Sequence, residues 1–356
     1  MKKITALLLA VLMLIGLLGC SNGTASSQET ASAAESKTEE AAPAAENDGA
    51  ADETASSDYH EATAKIMIIG KNSTDLFTNW LLTAAQKTID AEYPNVSYIT
   101  TSLENDPSQI VTLLDQAALD GYDGVLIQKG SNSINSDAWY QSATEQGLKI
   151  TAINAYANDG VSSASYADDT GMARTIAEYM VEKLPENAQV VFFKGPDGNQ
   201  AAMDRVVAYR TYLFEARPDV KILAEDFVEG WTKENALALM EDWIQNFDTI
   251  DGVISVNDTM ALAGLDALKN AGYDISNVYS CGIDGLADGC LSIQNGELTA
   301  SVLQNADVMS EEGVRLLMEM INGNIDHDEY IVDGVLITAD NVEEMIDMHR
   351  ANGIIK

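Results

Sequence analysis

Asp123-Gly124-Val125-Leu126-Ile127-Gln128 and Asp251-Gly252-Val253-Ile254-Ser255-Val256-Asn257 are the two stretches that decide the fold. Each is a short apolar run entered through Asp-Gly and left through an amide side chain. Such a run, bounded by turn residues, reads as a strand buried on both faces. Each leads through polar residues into a helix-like segment, and the rhythm continues on both sides. Further strand-like runs fall at 65–69, 96–101, 149–153, 189–193, 221–227 and 278–282. Helical spacing covers 76–91, 138–146, 171–184, 200–216, 233–246 and 259–271. Another helix is expected from Asp106-Pro107, with Asp106 as N-cap and Pro107 at the first helical position, to Gly121. Strands alternating with helices build parallel sheets covered by helices, so the expected class is α/β.

The two stretches echo one another, and the strands after them end alike, in Ile153-Asn154 and Ile283-Asp284. Two halves thus each present an amide, then an amide or a carboxylate, at strand carboxyl ends. In open parallel sheets ligands bind at that edge. Asn and Asp at strand ends also cap helices, but the mirrored recurrence favours a site.

The 356 residues hold 56 Asp+Glu against 20 Lys+Arg, a formal charge of −36. That acidity argues against nucleic acid and anionic membrane surfaces as partners, since both need cationic patches. Three cysteines exclude a disulfide scaffold and a four-cysteine zinc site, and three scattered histidines (His60, His327, His349) argue against a histidine-rich metal site. Asp326-His327-Asp328 reads as a solvated turn. Cys281 and Cys290 read as two small buried thiols, because a disulfide between a strand and the next helix needs special geometry.

Lys2 and Lys3 precede an apolar run over 4–18, too short for a membrane span and suited to a secretory signal. The run ends Leu17-Leu18-Gly19-Cys20, which resembles a bacterial lipobox. The resemblance implies cleavage after Gly19 and a lipid anchor on Cys20, holding the protein at the outer face of the cell membrane. From Ser21 to Glu61 there are ten acids, one base and almost no apolar residue larger than alanine. Such a segment cannot offset the entropy of ordering and reads as an acidic tether over 20–61.

Four further stretches carry a family resemblance. They are Val256-Asn257-Asp258-Thr259-Met260-Ala261-Leu262, Gly282-Ile283-Asp284-Gly285, Lys194-Gly195-Pro196-Asp197-Gly198 followed by Arg205, and Leu298-Thr299-Ala300-Ser301-Val302-Leu303-Gln304. Taken in their order along the chain, over most of 63–345, these stretches resemble periplasmic-type sugar-binding proteins of the ribose/galactose class, the substrate receptors of ABC transporters. The likeness is greatest to the galactose/glucose branch, through Asn154 and Trp231. It implies a type I periplasmic-binding-protein fold with two Rossmann-like lobes, 62–167 plus 305–331 and 168–304 plus 332–356. Three hinge crossings are expected near Asp168, Gln304 and Asp333.

A neutral sugar offers hydroxyls that donate and accept, and apolar faces that lie against rings, so planar amides, carboxylates, guanidinium and aromatics suit it. The expected ligand-binding residues are Asp284 and Arg205 on adjacent hydroxyls and Asn257, Gln304, Asn154 and Gln128 as amides. Trp231 would cover one sugar face and Phe77 or Leu76 the other, with Asp75 in the first loop. Asn199 and Ala201 stand where the galactose branch has His and Asp, which leaves the sugar's identity open. The loop at 183–187 is too short and too poor in acids for that branch's calcium site.

The expected partners are a small sugar and an ABC permease, with no cofactor, no metal and no nucleic acid, and the chain is expected to be a monomer. A rival reading is a receptor of the same fold serving signalling or chemotaxis, or binding a polyol, autoinducer or nucleoside. A transcription regulator would need a basic helix-turn-helix where the lipobox and tether stand. No Gly-x-Ser-x-Gly elbow or histidine near a nucleophile points to an enzyme.

Overall fold

The computed structural model describes residues 60–131 and 133–356. The signal segment, Cys20 and all but the last two residues of the tether lie outside them. The first elements are β1 (Ala64–Gly70), α1 (Leu76–Glu92), β2 (Val96–Ser102), α2 (Gln109–Leu119), β3 (Gly124–Ile127), α3 (Asp137–Glu145), β4 (Lys149–Ile153) and β5 (Ser163–Ala167). Then come α4 (Asp169–Lys183), β6 (Gln189–Phe193), α5 (Gln200–Tyr209), β7 (Lys221–Asp226), α6 (Lys233–Ile244), β8 (Gly252–Ser255), α7 (Asp258–Asn270) and β9 (Tyr279–Cys281). The last are α8 (Ala287–Gln294), β10 (Ser301–Leu303), α9 (Ala306–Ile321), β11 (Glu329–Val332), β12 (Val335–Ile337) and α10 (Val342–Ala351).

The strands form a six-stranded sheet in the order β11-β5-β4-β3-β1-β2 and a four-stranded sheet in the order β7-β6-β8-β9. Every pairing within both is parallel. The two deciding stretches, β3 and β8, are central strands with every residue buried. Their continuous Val/Leu/Ile character follows from burial on both faces. The edges look different. β2 carries Ser97, Thr100, Thr101 and Ser102, and β7 carries Lys221, Glu225 and Asp226, and both are partly exposed. Polar and charged edges discourage pairing with another chain. A short antiparallel pair, β10 with β12, adjoins β9 through bridges from Cys281 to Ala300 and from Asp284 to Leu303. The six-stranded sheet thus draws β11 from beyond β10, so the chain passes between sheets more than once.

Three expectations need correction. β5, Ser-Ala-Ser-Tyr-Ala, has no β-branched residue and gave no strand signal, yet it pairs with both β4 and β11. The helix expected over 200–216 is α-helical only to Tyr209 and widens into a π-turn over Arg210–Phe214. The helix expected to open at Asp106 begins regularly at Gln109. Asp106 instead closes a tight turn, with its carbonyl accepting from Gln109 N and its carboxylate from the Ser108 amide and hydroxyl.

Cys281 and Cys290 are buried free thiols, both pushed up to about 12 by burial. The loop at 183–187 is held by Arg217, which donates to the carbonyls of Val181, Leu184 and Pro185 and pairs with both Asp219 oxygens. Replacing Arg217 by alanine leaves three carbonyls without a donor and should cost about 1–2 kcal/mol, after allowance for solvent at this partly exposed site. Urea unfolding would measure it, and an unchanged midpoint would mean that water replaces the guanidinium at no cost.

Candidate functional site

In each parallel sheet the carboxyl ends of the strands share one edge, and the loops leaving those ends converge on a cavity of about 50 Å³. β1 leads to Lys71 and Asp75, β3 to Gly130 and Ser131, and β4 to Asn154. From the four-stranded sheet, β6 leads to Asn199, β8 to Asn257 and β9 to Asp284. Arg205 comes from α5, Trp231 from the turn before α6, and Gln304 follows β10. All line the cavity, with Phe77 and Ala201.

Arg205 is the hub. It is 4% exposed. Its Nε donates to Asp169 Oδ1 at 2.8 Å, one terminal nitrogen to Val256 O at 2.9 Å and Asp284 Oδ1 at 3.4 Å, and the other to Gln304 Oε1 at 2.7 Å. Gln304 in turn donates Nε2 to Asn154 Oδ1 at 2.5 Å. A continuous polar chain therefore runs from Asp169 through Arg205 and Gln304 to Asn154, joining groups from both sheets. The Trp231 ring centroid lies 5.8 Å from the guanidinium carbon. Gly195, with φ +75°, makes room for that ring: a Cβ there would meet Ala202 Cβ at 2.9 Å and Trp231 at 3.0 Å.

Three lining residues hold left-handed backbone that side chains other than glycine rarely adopt: Asn154 at φ 52°, Trp231 at 61° and Asp284 at 124°. Such strain persists only where the surroundings over-determine it, and it concentrates at functional sites. At Asp284 the constraint is visible. Its N–H donates to Val302 O and its carbonyl accepts from Gln304 N, locking it to β10.

Burial pushes the Asp284 carboxyl up to about 8, against the opposing charge of Arg205 and with a further push from Asp258. Asp258 is raised by burial to about 7 while accepting from Ser301 Oγ and Leu286 N. Burial likewise raises Asp169, with Arg205 opposing. For Arg205 itself burial pulls down, but Asp169 and Asp284 outweigh it and the guanidinium stays charged. Burial would also raise Asp75, but the Lys71 ammonium at 2.9 Å and the Thr78 amide outweigh it, so that carboxyl lies below its ordinary value. The cavity thus offers the Arg205 guanidinium, a Lys71 ammonium paired with Asp75, carboxyl groups that accept, amides that do both, and two rings. That set suits a polyhydroxylated molecule.

The expected residues divide as follows. Asp284, Arg205, Asn257, Gln304, Asn154, Trp231, Phe77, Asp75 and Asn199 all line the cavity. Asn257 is at once the N-cap of α7, accepting from Met260 N. Asn199 caps α5 and donates Nδ2 to Gly130 O at 3.2 Å, tying the loops of the two sheets together. Gln128 does not line the cavity. It is buried beneath the first loop, its Oε1 accepting from Lys71 N at 3.3 Å. Of the two candidates for the second sugar face, Phe77 lines the cavity and Leu76 points to a separate groove. Asp169 is a functional group the sequence reading missed. Its neighbour Asp168 caps α4 through Gly171 N, leaving Asp169 to meet Arg205. Asp204, the acid next to Arg205 in sequence, accepts from Gln200 Nε2 instead.

A family model described as a periplasmic binding protein domain matches residues 66–325. The xylitol-binding protein of Mycolicibacterium smegmatis is 28% identical over 260 residues, covering 72% of this chain and 73% of its own. The ribose import binding protein of Bacillus subtilis is 25% identical over 235 residues, covering 66% and 74%. Both carry binding-protein names, for xylitol and ribose rather than galactose or glucose. Among solved structures, a Caulobacter myo-inositol binding protein bound to myo-inositol superimposes with a TM-score of 0.73 at 22% identity, covering 81% of this chain and 98% of that one. At that identity it speaks for the fold alone. With the matched span, the parallel sheets and this fold likeness together, the chain belongs to the periplasmic binding protein domain family.

Proposed function

We propose that this chain is an extracytoplasmic receptor that captures a sugar or polyol and hands it to the permease of an ABC transporter. The observation that carries the reading is the buried Asp169–Arg205–Gln304–Asn154 chain, with Asp284 beside it and Trp231 and Phe77 on the walls. A ligand rich in hydroxyls replaces the bonds these groups now make to one another, accepting from the guanidinium and donating to the carboxyls. The family's other members, named for xylitol and ribose, support this class of ligand.

In this reading the two sheets belong to two lobes, 62–167 plus 305–331 and 168–304 plus 332–356, that hinge near Asp168, Gln304 and Asp333. Ligand favours the closed form because only closure brings polar groups from both lobes onto it. Cys20 carries the lipid anchor, and the acidic segment after it lifts the receptor off the membrane as a monomer. Thermal unfolding of the purified protein with a panel of pentoses, hexoses, polyols and their acid derivatives tests the assignment. A ligand at 100 times its Kd adds about 2.7 kcal/mol of stability, a shift of several degrees. Failure of every compound to raise the midpoint would overturn it.

A further inference from the structure

A larger cavity of about 360 Å³ adjoins the Arg205 cavity, and the two share Lys71, Gly130, Ser131, Asn199 and Trp231. The larger space lies in the range of small-molecule sites. It is bounded by loops from both sheets, tied across by Asn199 Nδ2 to Gly130 O at 3.2 Å and by the Gln200 amide to Ser131 Oγ at 3.2 Å.

Lys129 lines this second cavity and is 3% exposed. Among the described residues no carboxylate pairs with its ammonium and no acceptor takes a hydrogen bond from it. The Tyr156 ring centroid is 5.8 Å away. Asp137 and Asp159 act on it only through space. Asp159 is already engaged, accepting from the amides of Val161 and Ser162 and from the Ser162 hydroxyl at 2.8, 2.8 and 2.6 Å. The other lysine of the cavity, Lys71, is neutralised by Asp75. Burying an unpaired ammonium is costly, and folded chains rarely retain one unless something pairs with it. Asp197 also lines the cavity, yet no ion pair joins it or any other described acid to Lys129.

We infer that the second cavity is a subsite for an anionic substituent, a carboxylate or phosphate carried by the sugar held at Arg205, and that Lys129 is its counter-ion. The inference rests on the sugar-receptor reading and narrows its ligand class to acidic saccharides. The ring lies by Arg205, Asp284 and Trp231, and the charged arm extends past Ser131 to Lys129. A carboxylate or phosphate oxygen there gains a charge-assisted hydrogen bond that a neutral hydroxyl matches only weakly.

The test is calorimetric titration of the purified protein with matched pairs: glucose and glucuronate, galactose and galacturonate, ribose and ribose 5-phosphate. At least one acidic member should bind tenfold or more tighter than its neutral partner. In Lys129→Met, with Lys129→Gln as the second variant, that ratio should fall to near one. Both variants, relieved of an unpaired buried charge, should unfold about 2 °C or more higher without ligand. Neutral sugars binding as well as their acids, or an acid preference untouched by both variants, would overturn the subsite and leave the sugar-receptor reading standing. No heat from any member of any pair, with no thermal shift, would overturn both.

Discussion

Arg205→Met is expected to abolish ligand binding and to destabilise the fold. The guanidinium is the cation that touches both Asp169 and Asp284, and all three side chains are largely withdrawn from water. Removing one partner of a buried ion pair strands the other, at a typical cost of about 3–5 kcal/mol. Part of that cost is escapable by protonation. Asp284 already lies near 8 and Asp169 is raised too, so the loss should be smaller at pH 5 than at pH 8. Affinity should fall about 30-fold or more, since truncating a buried charged contact costs about 2–5 kcal/mol. Urea unfolding at both pH values, with titration of the wild-type ligand, reads both effects. Equal stability loss at the two pH values would mean that the carboxyls find another cation.

The second large effect is a pH dependence carried by Asp258. This carboxyl is fully buried and its folded value is raised by burial from 3.8 to about 7. Between those values the folded state holds a proton that the unfolded state has released. Stability from this group is therefore fully present below about pH 4 and lost as pH rises through about 7, by up to roughly 4 kcal/mol. Asp258→Asn should remove this group's share of the dependence, leaving that of Asp284 and Asp169. Its amide oxygen still accepts from Leu286 N, its Nδ2 donates to Ser301 Oγ, and the volume scarcely changes. The variant should equal the wild type near pH 4 and exceed it at pH 8, as unfolding midpoints would show. Parallel profiles would place the pH dependence elsewhere. The same carboxyl explains the neighbouring glycines. A Cβ on Gly282 would lie 2.2 Å from Asp258 Oδ1 and 2.8 Å from its Cα, and the backbone there cannot give way. Gly282→Ala should therefore lower the unfolding midpoint sharply.

What was legible in the sequence followed from local pattern. β3 and β8 are continuous apolar runs, and their burial makes them so. Asn154, Asn257 and Asp284 follow strands directly, so parallel topology alone carries them to one edge. What stayed hidden depends on contacts between distant segments. β5 has no β-branched residue and, Tyr166 apart, only small ones, and is a strand because β4 and β11 flank it. The division of labour between Asp168 and Asp169 is set by an arginine 36 residues away. Gln128 and Lys129 are adjacent in a polar turn, and nothing local says that one supports the Lys71 backbone while the other lines a cavity. Asn199 resembles a lost sugar contact in sequence, yet its position lets it cap a helix and bind the opposite loop at once.

The proposed function places a hydroxyl-rich ligand in the cavity around Arg205. A crystal structure with the sugar or polyol that raises the unfolding midpoint most tests it directly. The ring is expected between Trp231 and Phe77, with hydroxyls on Arg205, Asp284 and Asn257 and the Gln304–Asn154 bond broken to receive it. A ligand seated elsewhere, such as the groove beside Trp80 and His349, with the Arg205 network unchanged, would contradict it.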